Sequence, residues 1–330
     1  MQWNIKVLKK LIELIEKRLD NAKNDEEVYM LQDDLYTIKQ MINMQEKREI
    51  YILPESKNYH MINQKRYNDN KQFLLDSSKE NFQKLSSFKE TSLSHIAYLP
   101  RKLSFNEMLA YVEKFLLSTN LRLYELYRYL LLYDKISIGR KYYIFGSTSI
   151  IEGIMNKIYS TGDTYIYSRF NGKLETAAIL PHELAHASQF NPICEPERIQ
   201  IMRYSAFSES YANFIEYLFM MFMEKSPFQK NSLDFNREVL SKFIYEASCN
   251  SLKDNIRIFN IKKTYSNLLA FYWISIYLEN PNKAFEDIDW FNKNYGILTD
   301  EEIINNYGFV NLIDGTKEVI NDYERKRKKL

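Results

Sequence analysis

A mainly α-helical fold with one small β-sheet is predicted for this chain, on three observations. Glycine (8) and proline (7) are scarce among its 330 residues, and the segments between them repeat apolar residues at three-and-four spacing. Strand-favouring tyrosine and isoleucine gather in one region just before a pair of histidines. A hydrophobic content of 45% is enough to bury a large core. Lys plus Arg (45) nearly balance Asp plus Glu (43), for a formal charge of +2, so no whole-protein field attracts nucleic acid or an anionic membrane. The two cysteines, Cys194 and Cys249, are far apart in sequence; neither a disulfide framework nor a cysteine-based zinc site is expected, and the setting that follows is reducing and cytoplasmic. MQWNIKVLKKLIELIEKRLD interleaves charge with its apolar residues, unlike the h-region of a secretory signal. No segment approaches the roughly 18 consecutive apolar residues of a spanning helix.

The elements follow in order. Trp3, Val7, Leu8, Leu11, Leu14, Ile15 and Leu19 form the apolar stripe of one amphipathic helix. Asn24, followed by Asp25, Glu26 and Glu27, caps a second that runs to about Gln45, so the chain opens with a helical hairpin. Lys47 to Pro100 is polar, although FLLDSSKENFQKL can form a third helix. A boundary near Pro100 separates an N-terminal helical region (1–100) from the remainder (101–330). Ser104 and Glu107 make a capping box for a helix striped by Met108, Leu109, Val112, Phe115 and Leu116, and LRLYELYRYLLLYD is the next helix. Strands are expected in ISIGRKYYIFG (136–146) and DTYIYSRFNG (163–172). FIEYLFMMFM, interrupted by Glu216, reads as a core helix, and the terminal ERKRKKL as a solvated end.

The chemistry concentrates in AAILPHELAHASQF. On a helix, His182 and His186 stand one turn apart on one face and can direct both imidazoles at one ion, with Glu183 beside them as a base. The competing reading, two core histidines satisfied by hydrogen bonds, needs two partners facing one way. Catalytic zinc commonly takes three protein ligands. The chain has no histidine after His186, so the third must be a carboxylate. Glu209, at the head of ESYANFIEYL, is the best placed, on a helix whose polar stripe continues through Ala212, Asn213 and Glu216. The alternative for that stripe is a solvated helix face. Glu195 and Glu197 fall in a proline-bounded segment read as loop.

Together these segments resemble the zinc oligopeptidases typified by thimet oligopeptidase and oligoendopeptidase F. That family carries an HExGH helix and, later, a helix with a ligand glutamate and a second glutamate two turns on; HELAH and ESYANFIE keep that order. The resemblance runs from about Leu103 to Pro281. It implies Zn2+ held by His182, His186 and Glu209, with Glu183 as general base, Glu216 supporting a ligand from behind, and peptides as substrate. It implies a helical catalytic domain with a small sheet beside the site. Tyr265 and Tyr272, in KKTYSNLLAFYWISIYL, fall where the family places oxyanion-stabilising tyrosines, and both also suit core packing. Ala185 replaces the family's glycine. Pro181 requires the zinc helix to start there or kink. The family's C-terminal histidine is absent, which motivates a second reading, a peptidase-like binding or regulatory protein that has lost turnover. The N-terminal hairpin suits a lid or a dimerisation element equally.

Overall fold

The computed structural model of the chain describes residues 2–47, 49–50, 64–85, 102–139, 142–144, 150–190, 195–227 and 258–327. Cys194, Cys249, the boundary at Pro100 and the last three residues of ERKRKKL lie outside them. The elements begin with α1 (Ile5–Leu19), α2 (Asp25–Lys47), β1 (Glu49–Ile50), α3 (Gln64–Lys84), α4 (Phe105–Thr119), α5 (Leu121–Leu132), β2 (Ile136–Ile138), β3 (Tyr142–Ile144), β4 (Ile150–Ile151), β5 (Gly153–Lys157) and β6 (Thr164–Ser168). They continue with α6 (Leu174–Ala177), α7 (Ile179–Phe190), α8 (Pro196–Tyr204), α9 (Ser210–Met223), α10 (Ile258–Glu279), α11 (Pro281–Asn294), α12 (Asp300–Tyr307) and α13 (Phe309–Arg327). The chain is mainly helical, and it opens with a helix pair as its periodicity predicts.

Caps start the helices at Asn24 and Ser104, as the sequence predicts, and also at Asn4. Asn4 accepts hydrogen bonds from the backbone of Lys6 and Val7 to start α1, and Asn24 accepts one from Glu27 at 2.8 Å. Both bonds of the Ser104–Glu107 capping box are present. The strand region holds more than its sequence suggested. β4 and β5 occupy residues read as connection, and two mixed sheets form in the orders β1-β3-β4 and β2-β6-β5. In the second, β2 runs parallel to β6 with Ile136 opposite Ile166, and β5 runs antiparallel to it with Gly153 opposite Ser168. Pro196 opens α8 rather than bounding a loop, because proline's missing N–H costs nothing in a first helical turn.

The chain divides into two compact units that are discontinuous in sequence: Met1–Ile62 with Lys102–Ile199, and Asn63–Arg101 with Gln200–Leu330. In the first unit, Leu8, Leu11 and Ile15 of α1 and Leu31, Leu35, Ile38 and Met41 of α2 share one core with Ile151, Ile158, Tyr165 and Tyr167 of the strand region. The hairpin therefore covers the sheet instead of standing apart from it. Two polar ties fix this cover. Trp3, expected on the helical stripe, precedes α1 and donates its indole N–H to the carbonyls of Lys135 (3.2 Å) and Ile166 (3.0 Å). Asp34 of α2 accepts from the backbone N–H groups of Tyr159 (2.7 Å) and Ser160 (2.8 Å).

In the second unit α10 packs against α3, α9, α11 and α13. Trp273 makes edge-to-face contacts with Phe214 (6.1 Å) and Phe291 (5.1 Å). Buried Asp300 accepts from Ser205 Oγ, the N–H of Ala206 and Asn70 Nδ2, which ties the segment leading into α9 to the start of α12.

Asp34 is fully buried, and that burial pushes its carboxyl above its usual value against the backbone bonds that favour the charge. Asp34→Ala leaves the buried N–H of Tyr159 and the half-buried N–H of Ser160 without this acceptor and is expected to cost about 2–3 kcal/mol in denaturant unfolding. A raised folded pKa means the native state binds a proton more readily than the unfolded chain. The advantage of the native protein over Asp34→Asn is therefore expected to be fully present below about pH 4 and to be lost as pH rises through the folded value.

Candidate metal centre

The site is built from β6 outward. All five residues of β6 are buried, and the turn that follows is closed by Thr176, whose Oγ1 donates to Asn171 Oδ1 (2.9 Å) and accepts from the Asn171 N–H (3.2 Å). α6 then leads into α7 with one residue between them. α7 begins at Ile179, so Pro181 falls in its first turn, where no intrahelical N–H bond is lost. The regular ladder starts at once, with the N–H of His182 on the carbonyl of Ala178 at 3.2 Å. Neither a start at Pro181 nor a kink is needed.

Leu180, Pro181, Leu184, Ala185, Ala187 and Phe190 of α7 are buried, while His182 and His186 are half-buried. The two rings stand 4.9 Å apart between centroids with 76° between their planes. Ala185 is fully enclosed, so a methyl group fits where the resembled family has glycine. Glu183, at 7% exposure, is turned into the protein.

Glu209 is the N-cap residue of α9, and its side chain makes no capping bond. Its backbone is anchored through Ser266 of α10. The Ser266 hydroxyl accepts from the Glu209 N–H at 3.2 Å and donates to the Ala206 carbonyl at 2.7 Å. His182, His186 and Glu209 each offer a ligand atom, and these atoms lie within 4.8 Å of one another. Among the described residues it is the one such group of histidine, cysteine or acidic side chains. Zinc bonds to such donors are about 2.0–2.2 Å. Two imidazoles and one carboxylate are a donor set that fits zinc and leaves a fourth position open.

The polar stripe of α9 is not a solvated face. Asn213 Nδ2 donates to Asn267 Oδ1 of α10 at 2.9 Å, and Glu216 lines a small cleft of about 50 Å³ with Asn213, Tyr217, Met220, Asn267, Ala270 and Phe271. Asn267 and Ser266 were missed by sequence reasoning; their spacing opposite the α9 stripe becomes visible only once α9 and α10 are paired. Glu195 is exposed ahead of α8.

The two tyrosines lie elsewhere on α10. Tyr265 is fully buried between Phe207 and Phe309, each 5.9 Å away, and its hydroxyl accepts from Asn81 Nδ2 at 3.1 Å. Tyr272 is half-buried and meets Tyr307 edge-on at 5.6 Å. Gly315 of α13 packs so closely on it that any Cβ there would come within 2.9 Å of the Tyr272 Cα. The side of α10 that meets α9 carries Asn267, Phe271 and Trp273 instead. Burial raises the pKa of both tyrosine hydroxyls, and the packing accounts for both side chains.

No protein-family model matches the chain, and no curated protein matches it. Solved structures share its fold. An oligoendopeptidase F assignment from Bacillus anthracis str. Ames superposes with a TM-score of 0.55 at 15% identity, covering 94% of this chain and 65% of that one. A second structure assigned as oligoendopeptidase F gives 0.52 at 13% identity, with 93% and 66% covered. PZ peptidase A with an inhibitor gives 0.54 at 13% identity, with 90% and 66% covered. The chain is thus similar in fold to oligopeptidases and spans about two thirds of their length. The likeness reaches well beyond the Leu103–Pro281 stretch visible in sequence.

Tyr265→Phe removes the acceptor of Asn81 while keeping the ring. A stability loss of about 1 kcal/mol is expected in denaturant unfolding; an unchanged midpoint contradicts the packing role.

Proposed function

We propose that the protein is a zinc-dependent peptidase that hydrolyses peptide bonds in oligopeptides or unfolded segments. One observation carries the reading: two imidazoles and a carboxylate converge within 4.8 Å on a fold shared with oligopeptidases. In this reading His182, His186 and Glu209 hold the ion. Bound zinc supplies Lewis-acid polarisation of the scissile carbonyl and acidifies water at neutral pH. Glu183 takes a proton from the attacking water and returns it to the leaving amine, a role that suits a carboxylate mounted one residue from a ligand. Glu216 holds the polar stripe behind Glu209, next to the Asn213–Asn267 pair.

The second reading is a metal-binding protein of the same fold without turnover. It is favoured by the absence of any histidine after His186 and by the packing of Tyr265 and Tyr272. Losing one oxyanion donor commonly costs on the order of a hundredfold or more in rate.

Metal analysis paired with a quenched-peptide library, with and without chelator, decides between them. The peptidase reading expects one zinc per chain and chelator-sensitive cleavage. It further expects Glu183→Gln to keep its zinc while losing turnover by roughly 10²–10⁴-fold, His186→Ala to lose both, and Tyr272→Phe to stay within about tenfold of the native rate, short of an oxyanion-donor loss. Zinc without cleavage supports the second reading, and a metal-free protein overturns both.

A further inference from the structure

Gly153 opens β5 opposite Ser168, and its backbone is not among those with positive φ. An ordinary strand position of this kind accepts any residue, and glycine weakens a strand. The reason for a glycine lies in what faces it. A Cβ built on Gly153 would fall inside contact distance of Glu183 Oε1, 2.9 Å from Glu183 Cδ and 2.7 Å from Ile179 Cγ2. Ile179 and Glu183 are one turn apart on α7, so one face of that helix closes over the bare Cα of Gly153. The Glu183 carboxyl fills the space a side chain would take.

We propose that Gly153 is a positioning residue for Glu183: by lacking a side chain it lets the carboxylate lie flat against the start of β5 and fixes where its oxygens stand. The inference rests on the proposed role of Glu183 as the base. Its physical content is separate from that role. Carbon and oxygen in ordinary contact need well over 3 Å, so a methyl group at 153 displaces the carboxylate by roughly 1 Å. A displacement of that size in a catalytic group can cost on the order of a hundredfold in rate. The same methyl group would press on Ile179 Cγ2 at 2.7 Å, one turn before Glu183.

Melting temperatures of the native chain, Gly153→Ala, Glu183→Ala and the double variant test the contact without any assay of activity. Gly153→Ala is expected to lower the melting temperature by on the order of 3 °C through overpacking, and about half or more of that loss should vanish in the Glu183→Ala background. Equal losses in both backgrounds overturn the proposal. If Gly153→Ala does not fold, folding of the double variant supports the contact, and failure of both overturns it.

The same preparations are then assayed for zinc and peptide turnover. Gly153→Ala is expected to keep its zinc and a KM within about twofold of native while kcat falls on the order of a hundredfold. An unchanged kcat in a chain whose native form is active overturns the positioning role alone. A native chain that binds zinc and cleaves nothing overturns the base instead, and the positioning role with it, while the melting comparison still reports the contact.

Discussion

The burial of α7 is the constraint on which the site depends. Six of its apolar residues, Leu180, Pro181, Leu184, Ala185, Ala187 and Phe190, are turned into the protein. Each large apolar side chain among them contributes on the order of 1.5–3 kcal/mol when taken out of water, far more than any rotation of the helix could recover. Once that face is fixed, His182 and His186 can only point together along the half-buried flank. The apolar packing of α7 thus sets the side of the helix on which both imidazoles stand.

The first unit is organised to hold that helix. β5 and β6 form one wall against α7, and the opposite face of the strand region is closed by the α1–α2 pair through the shared core around Leu35, Ile38 and Tyr167. Trp3 and Asp34 turn this packing into a register, since each pairs with backbone groups that have no freedom to slide. The hairpin therefore belongs to the support of the site. In the second unit Ser266 does the corresponding work at the start of α9, fixing the backbone of Glu209 from α10.

What was legible in sequence was what is encoded locally. Caps at Asn24 and Ser104 read correctly because each bond spans three residues, and the rings of His182 and His186 stand side by side because i and i+4 share a helix face whatever surrounds them. β5 was not legible. Its Gly153, Asn156 and Lys157 are poor strand formers, and pairing with β6 overrides that preference. Trp3 sits outside α1 because two distant carbonyls offer its indole a partner, a tertiary fact with no local trace. The discontinuous units were hidden for the same reason. The tyrosines illustrate a different limit. With 26 in the chain, the family resemblance nominated Tyr265 and Tyr272 by spacing and order, but which side of α10 meets α9 is decided by Gly315 and by the Asn213–Asn267 pair, residues that carry no chemical signature.

The central claim is that two imidazoles and one carboxylate share a single ion. X-ray absorption at the zinc edge, on the zinc-loaded native chain and on Glu209→Ala, tests it most directly. The account predicts two imidazole nitrogens and a carboxylate oxygen at about 2.0–2.2 Å in the native chain, with the carboxylate alone lost in the variant. A spectrum with fewer than two imidazoles, or one that Glu209→Ala leaves unchanged, contradicts it.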